Sequence, residues 1–316
     1  MRISLAAACA AFALAGCATH APSPDAFEFA VIGDAPYSDF EEQRFLGMLG
    51  SLDGERLEFV VHVGDFKDGN NSPCTDALYA KRKAQFERSA HPLVYTPGDN
   101  DWTDCRRKSN GGADPLERLA KLREVFFAEP RALGGPGIAV NRDEDCALAG
   151  ANGCECPALP ENFAWQVRGV WFITLNIPGS NNNEGYDAAS DREARCRNEA
   201  NRKWLARALE AAAWPHILGL AVFIQANPWE KSRTGAYDRF LAQLSSGAVK
   251  LGKPVLFVHG DTHVYRFDRP FSDSGGNPVA KLARLESFGS PLVGWVRVTA
   301  NPNDPMLFSV AVGGLW

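Results

Sequence analysis

The sequence predicts an α/β domain built from two mixed β-sheets with flanking helices. Three observations lead there. Short, continuous apolar runs recur along the chain at 29–32, 59–63, 93–97, 220–224 and 255–258. Runs of this length without alternation read as strands buried on both faces. Helix signals fall between them, so that strand, helix and strand repeat through the first 130 residues, and further strand candidates follow to residue 312.

Each element has its own signal. After the first strand, residues 39–50 place Phe40, Phe45, Leu46 and Leu49 at helical spacing. Past the second strand, Ser72-Pro73 resembles an N-cap followed by proline at the first helical position and opens a helix to about residue 89. Beyond the third strand, Asp114-Pro115 repeats the device, and Glu117 completes a start like a capping box. Residues 134–160 and 178–190, rich in Gly, Asn and Cys, read as surface loops around strands at 163–167 and 170–176. The longest helix covers 190–213 and ends at Trp214-Pro215. A strand at 218–225, a helix at 235–246 and strands at 255–259, 293–299 and 306–312 complete the order.

The first residues read as a targeting segment. Arg2 is followed by small apolar residues 3–15 and by Leu14-Ala15-Gly16-Cys17. The apolar stretch is too short to span a bilayer and has the form of a signal peptide. Leu-Ala-Gly-Cys resembles the lipobox of bacterial lipoproteins, which implies cleavage before Cys17 and lipid on its sulfur. Ala18, where Asp is absent, resembles the lipoproteins sorted to an outer membrane. We therefore expect signal and lipobox at 1–17, a tether at 18–25, one domain at 26–316, and a lipid-anchored protein of the bacterial envelope facing the periplasm. No other run is long and apolar enough to span a bilayer. With 38 acidic against 33 basic residues, nucleic acid is not an expected partner. Cys74, Cys105, Cys146, Cys154, Cys156 and Cys196 remain beyond Cys17, an even number that in an exported chain points to disulfides. We expect Cys74–Cys105, with the other four stapling the region 141–200.

The chemistry lies at the ends of the apolar runs. They run into Gly33-Asp34, Gly64-Asp65-Phe66-Lys67-Asp68, Gly98-Asp99-Asn100-Asp101, Gln225-Ala226-Asn227 and His259-Gly260-Asp261-Thr262-His263. Ligands of open α/β sheets bind beyond the carboxyl ends of the strands, so these clusters should converge. Crowded carboxylates would repel unless cations neutralise them, which makes a metal centre the expectation.

On these residues the chain resembles the calcineurin-like metallophosphoesterases. The resemblance implies a four-layer sandwich of two sheets covered by helices, with five motifs holding two metals, and hydrolysis of a phosphoester by a metal-bound hydroxide. Asp34 matches the Asp of the first motif, Asp-x-His, but Pro36 stands in place of the His. Gly64-Asp65-Phe66-Lys67-Asp68 matches the second in full, making Asp65 the bridging ligand. In the third, Asp99 replaces a metal-binding Asn and Asn100 replaces the His that assists catalysis. Gln225 or Asn227 stands for the His of the fourth. Gly260-Asp261-Thr262-His263 keeps the last His of the fifth and puts Asp261 in place of the first.

The resemblance thus implies one group of Asp34, Asp65 and His263 and a second of Asp65, Asp99, Asp261 and an amide from Asn227 or Gln225. Nitrogen ligands have given way to oxygen, so one or two divalent cations are expected, with magnesium, manganese or calcium favoured over zinc. Asn100 cannot act as a general acid, and Asp101, His62 or His259 could supply the proton. The substrate would be a phosphorylated small molecule or lipid. The alternative is a noncatalytic envelope protein that keeps the fold and binds a cation or a phosphorylated ligand.

Smaller signals are weaker. Arg106-Arg107-Lys108 could grip phosphate or form a solvated loop. His62 and His259 could reach the site but read more readily as core or supporting histidines. Asn176, Asn181 and Asn182 could line a pocket or form a turn, and Trp102 and Trp229 could wall it or pack in the core. Residues 247–254 almost spell a P-loop, but Pro254 replaces the metal-binding hydroxyl and the stretch precedes a strand.

Overall fold

The computed structural model describes residues 25–143, 158–230 and 234–316. Two mixed sheets lie face to face. The first has the order β13-β12-β1-β2-β3-β4 and the second β10-β11-β9-β8-β7-β6-β5. In the first sheet β1 (Phe27–Ile32), β2 (Val60–His62) and β3 (Pro92–Tyr95) are parallel. Antiparallel strands flank them: β12 (Gly294–Ala300) and β13 (Phe308–Leu315) on one side, β4 (Leu133–Gly134) on the other. In the second sheet β7 (Val170–Thr174), β8 (Gly219–Phe223), β9 (Val255–His259) and β11 (Leu282–Glu286) are parallel. Its antiparallel flanks are β6 (Leu159–Val167), β5 (Asn141–Asp143) and β10 (Arg266–Asp268). The expected two-sheet α/β class is the observed one.

Aromatic rings fill the space between the sheets. Phe29 stacks on Phe59 at 4.8 Å, Phe172 meets Phe59 edge-on at 5.0 Å, and Trp165 stacks on Phe172 at 5.3 Å. Such pairs add about 0.5–1.5 kcal/mol each beyond their buried area. The helices α1 (Asp39–Leu52), α2 (Asp76–Phe86) and α3 (Pro115–Phe126) cover the first sheet, where Phe45, Phe86 and Phe126 pack around His62 and Tyr95. A short helical turn, α4 (Gly179–Asn182), follows β7. Against the second sheet lie α5 (Ala188–Ala212) and α6 (Asp238–Leu251), which bury Trp204, Leu205, Leu244 and Ala248.

Several boundaries move. The second helix begins at Asp76, not after Ser72: Thr75 is the N-cap and accepts from the Leu78 amide at 3.2 Å, while Cys74 is tied into the Cys74–Cys105 disulfide. That disulfide is the expected one. Cys196 is disulfide-bonded as well, and Cys146, Cys154 and Cys156 lie outside the described residues, as do Cys17 and its lipobox. Asp114 caps α3 through the Leu116 amide at 2.8 Å, as expected, but Glu117 pairs with Arg118 rather than closing a capping box. The P-loop-like stretch is the end of α6, capped by Gly252, and leads into β9. No helix among the described residues is long and apolar enough to cross a membrane.

Candidate metal centre

The carboxyl ends of β1, β2 and β3 meet those of β7, β8 and β9, and every expected polar cluster follows one of these strands. The turns that carry them are tight. Asp34, Asp65, Asp261 and His263 all have positive φ, between +49° and +83°, a region that costs a non-glycine residue unless the surroundings enforce it. Two glycines permit the close approach. A Cβ on Gly98 would lie 2.0 Å from Asp65 Oδ1, and one on Gly260 would lie 2.1 Å from Asp34 Oδ2.

Asp65, Asp99 and Asp261 each bring a carboxylate oxygen within 4.8 Å of the others. Asp65 Oδ1 accepts from the Asn100 amide at 3.0 Å, and Asp99 Oδ2 accepts from the Ser180 hydroxyl at 2.8 Å. Asp99 Oδ1 is buried without a hydrogen-bond partner. A buried, unpartnered carboxylate oxygen beside two further carboxylates fits a hard divalent cation. Asp34 lies next to this triad, its Oδ1 accepting from the Asp261 amide at 2.9 Å. Burial pushes Asp34, Asp65 and Asp261 well above the usual carboxylate range, and repulsion by Asp99 pushes each the same way.

The amides differ from the ligand role expected of them. Gln225 Oε1 accepts from the Gly179 amide at 2.6 Å, which turns the NH₂ toward the carboxylates. That nitrogen donates to Asp65 Oδ2 and Asp261 Oδ1, both at 3.1 Å. Asn227 Oδ1 accepts from the Trp229 amide at 3.1 Å and its Nδ2 donates to Thr262 Oγ1 at 2.9 Å. Neither amide oxygen is turned to the triad. Gln225 instead clamps two carboxylates with hydrogen bonds. His263 donates from Nδ1 to the Ser290 carbonyl at 2.7 Å, leaving Nε2 as its lone-pair nitrogen, 3.9 Å from Asp34 Oδ1.

Asp101 is placed behind the cluster. Its oxygens accept from the amides of Asp65, Phe66 and Gly98 at 2.8–2.9 Å and from the Tyr95 hydroxyl at 2.7 Å. Burial raises its pKa to about 6 against those bonds. It knits the second and third polar turns together. His62 sits among Phe45, Phe86 and Tyr95, and His259 packs on Phe257 and Trp229; burial lowers both to about 3, so they are neutral core histidines.

A cleft of about 500 Å³ opens over the triad. Asn100, Arg107, Asn181 and Tyr37 line it with the carboxylates. Arg107 pairs with Asp104 at 2.7 Å and donates to the Gly69 carbonyl at 2.7 Å. Asp104 is raised to about 7 by burial first and by Asp99 second. Arg106 is engaged elsewhere, stacked 3.4 Å over Tyr186, and Lys108 is exposed. Asn176 and Asn182 are held by Arg197, whose Nη1 donates to the Asn176 carbonyl at 2.9 Å and to Asn182 Oδ1 at 2.6 Å. Trp102 is fully buried under Arg197, and Trp229 packs on Phe271.

Three participants were not singled out from the sequence. Tyr37 reaches in from the turn after β1, and Ser180 reaches Asp99 and Asp104 from α4, whose residues have left-handed backbone angles. Lys67, almost fully buried, donates to the carbonyls of Asp68 and Asn100 at 2.8 and 2.9 Å and puts a positive charge beneath the cluster. Only Lys67 had a pointer, its place inside the second motif.

No protein-family model matches the sequence, and no curated protein matches it significantly. Solved structures do resemble it. GAP50, the anchor in the inner membrane complex of Plasmodium, matches with a TM-score of 0.52 at 10% identity, covering 92% of this chain and 89% of that one. A dimetal phosphatase from Danio rerio matches with a TM-score of 0.47 at 13% identity, covering 91% and 99%. A phosphatase from Mycoplasma pneumoniae matches with a TM-score of 0.41 at 11% identity, covering 91% and 94%. At these identities the likeness is one of fold, and the fold is the one implied by the metallophosphoesterase resemblance.

Proposed function

We propose that this chain is a divalent-cation-dependent phosphoester hydrolase of the bacterial cell envelope. The observation that carries the reading is the triad of Asp65, Asp99 and Asp261, the first two buried and the third half-buried, at the floor of a cleft whose rim holds Arg107. An acidic floor can hold a cation, and a cation with an arginine can hold a phosphoryl group.

Asp65, Asp99 and Asp261 would hold the ion, with all-oxygen ligation favouring magnesium, manganese or calcium over zinc. Such an ion supplies positive charge to phosphoryl oxygens and makes water more acidic. The protein's own groups do the rest. Arg107 faces the cleft and can pair with a phosphoryl oxygen, and the Asn100 side-chain NH₂, one proton of which goes to Tyr37, can donate its other to a second oxygen. Gln225 holds Asp65 and Asp261 in place, and Ser180 holds Asp99. Asp101 fixes the turns without facing the substrate. The ligand would be a phosphorylated small molecule or lipid headgroup, which a cleft of about 500 Å³ can admit, and Cys17 would tether the domain to the membrane surface.

Chelation should abolish cleavage of nitrophenyl phosphate esters, and manganese or magnesium should restore it. Asp99→Ala should cut turnover at least ~100-fold, since it removes the open ligand oxygen. A wild-type protein that cleaves no phosphoester with either ion added would sink the hydrolase reading in favour of a noncatalytic binding protein. That rival draws on Asn100, which cannot exchange a proton near neutral pH. Cys17→Ser should release the protein from the membrane fraction or leave its precursor uncut; an unchanged membrane association would count against the anchor.

A further inference from the structure

The buried aspartates and His263 form two adjacent donor groups that share Asp65. One is the triad of Asp65, Asp99 and Asp261, where Asp99 Oδ1 is without a partner. The other is Asp34, Asp65 and His263, and a side chain closes it. Tyr37 places its hydroxyl 3.3 Å from Asp65 Oδ2 and 3.3 Å from His263 Nε2. Because His263 Nδ1 is spent on the Ser290 carbonyl, Nε2 carries the lone pair that a cation would need, and that lone pair faces the Tyr37 hydroxyl. Asn100 Nδ2 donates to the Tyr37 oxygen at 2.9 Å, so the phenol proton is left for Asp65 or His263. The Tyr37 ring meets the His263 ring edge-on at 5.3 Å, which fixes its direction. Pro36, the preceding residue, offers no side-chain ligand atom.

We propose that the centre takes a single divalent cation, in the triad, and that the Tyr37 hydroxyl occupies the other donor group in the free protein and turns its one proton to a phosphoryl oxygen when the ligand binds. Tyr37 lines the cleft together with Asp99, Asn100 and Arg107, so its O–H and the triad can face one anion. Without a ligand, the second donor group is satisfied by hydrogen bonds in place of a cation: the single Tyr37 proton on Asp65 or His263, and the Asp261 amide on Asp34. The phosphoryl half of the proposal rests on the hydrolase reading for its ligand class; the cation count does not.

Calorimetric titration of the metal-stripped protein with manganese tests the count. One ion per chain is expected for the wild type, with an electron paramagnetic resonance spectrum of isolated manganese. Two ions, with the spectrum of a coupled pair, or none, would overturn it. Inorganic phosphate titrated into the manganese-loaded protein tests the donor. Tyr37→Phe keeps the ring and removes only the O–H, so it should weaken phosphate binding about tenfold while the count stays at one. Unchanged phosphate affinity would overturn the donor role. One ion and Tyr37-dependent phosphate binding, without cleavage of any ester, would leave this inference standing and end the hydrolase reading.

Discussion

Asp101 shows how one residue can be essential to a site without touching what the site binds. Three backbone amides and the Tyr95 hydroxyl converge on its carboxylate, and two of those amides, of Asp65 and Phe66, belong to the turn that presents Asp65. Asp101→Asn replaces an acceptor by an NH₂ that must face donors, so it should cost about 2–4 kcal/mol in urea unfolding. Tyr95→Phe removes one bond of the set and should cost about 1 kcal/mol. If Asp101→Asn cost no more than Tyr95→Phe, the carboxylate would not be the tie between the two turns. The sequence offered Asp101 as a proton source because it follows Asn100; only the three-dimensional structure shows its oxygens already engaged. The aspartates of the triad were legible because Gly-Asp after a buried strand is a local pattern. Tyr37, Ser180 and the NH₂ of Gln225 were not, since each acquires its role from a neighbour far along the chain.

At the scale of elements, the strands that carry the site were legible and several that frame it were not. The continuous apolar runs gave β1, β2, β3, β8 and β9. β11 escaped because Leu-Ala-Arg-Leu-Glu breaks the apolar pattern, yet Arg284 and Glu286 are buried there, paired with Asp268 and Arg266. The join between α3 and β6 uses the same device. Arg123 donates to Glu161 from Nε at 2.9 Å and from Nη2 at 2.6 Å, and Asn176 adds a third bond at 2.8 Å. Burial pushes the fully buried Glu161 up, but Arg123 outweighs it and holds the carboxyl below its usual range. Arg123→Met should therefore strand a buried charge and cost about 3–5 kcal/mol, whereas the double change with Glu161→Gln should recover much of the loss. Chemical denaturation of the two variants checks this; a double variant as unstable as the single one would show that the stranded Glu161 charge is not what costs the stability.

For the whole molecule, closing two sheets face to face forces the strand ends together, and with them the carboxylates. Burial and the nearby Asp99 carboxylate raise Asp34, Asp65 and Asp261 in the folded state, while in the unfolded chain they titrate near pH ~3.9. Without a cation, the folded state therefore holds protons that the unfolded state has released. Stability that is fully present below about pH 4 is then lost as pH rises toward the folded values. His62 works in the opposite sense. Its folded value of about 3 lies below the ~6.5 of an unfolded histidine, so it removes stability as pH falls from about 6.5 toward 3. Metal-stripped and manganese-loaded protein share the histidine effect, so it cancels between them, and only the carboxylates differ. The gap in melting temperature between loaded and stripped forms should accordingly be smallest near pH 4 and widen steadily to pH 7. Asp99→Ala should shrink that gap at every pH, because it takes away the oxygen left without a partner in the triad. A gap that stays constant with pH in the wild type would mean that the carboxylates ionise without a cation, and the triad would lose its claim to bind one.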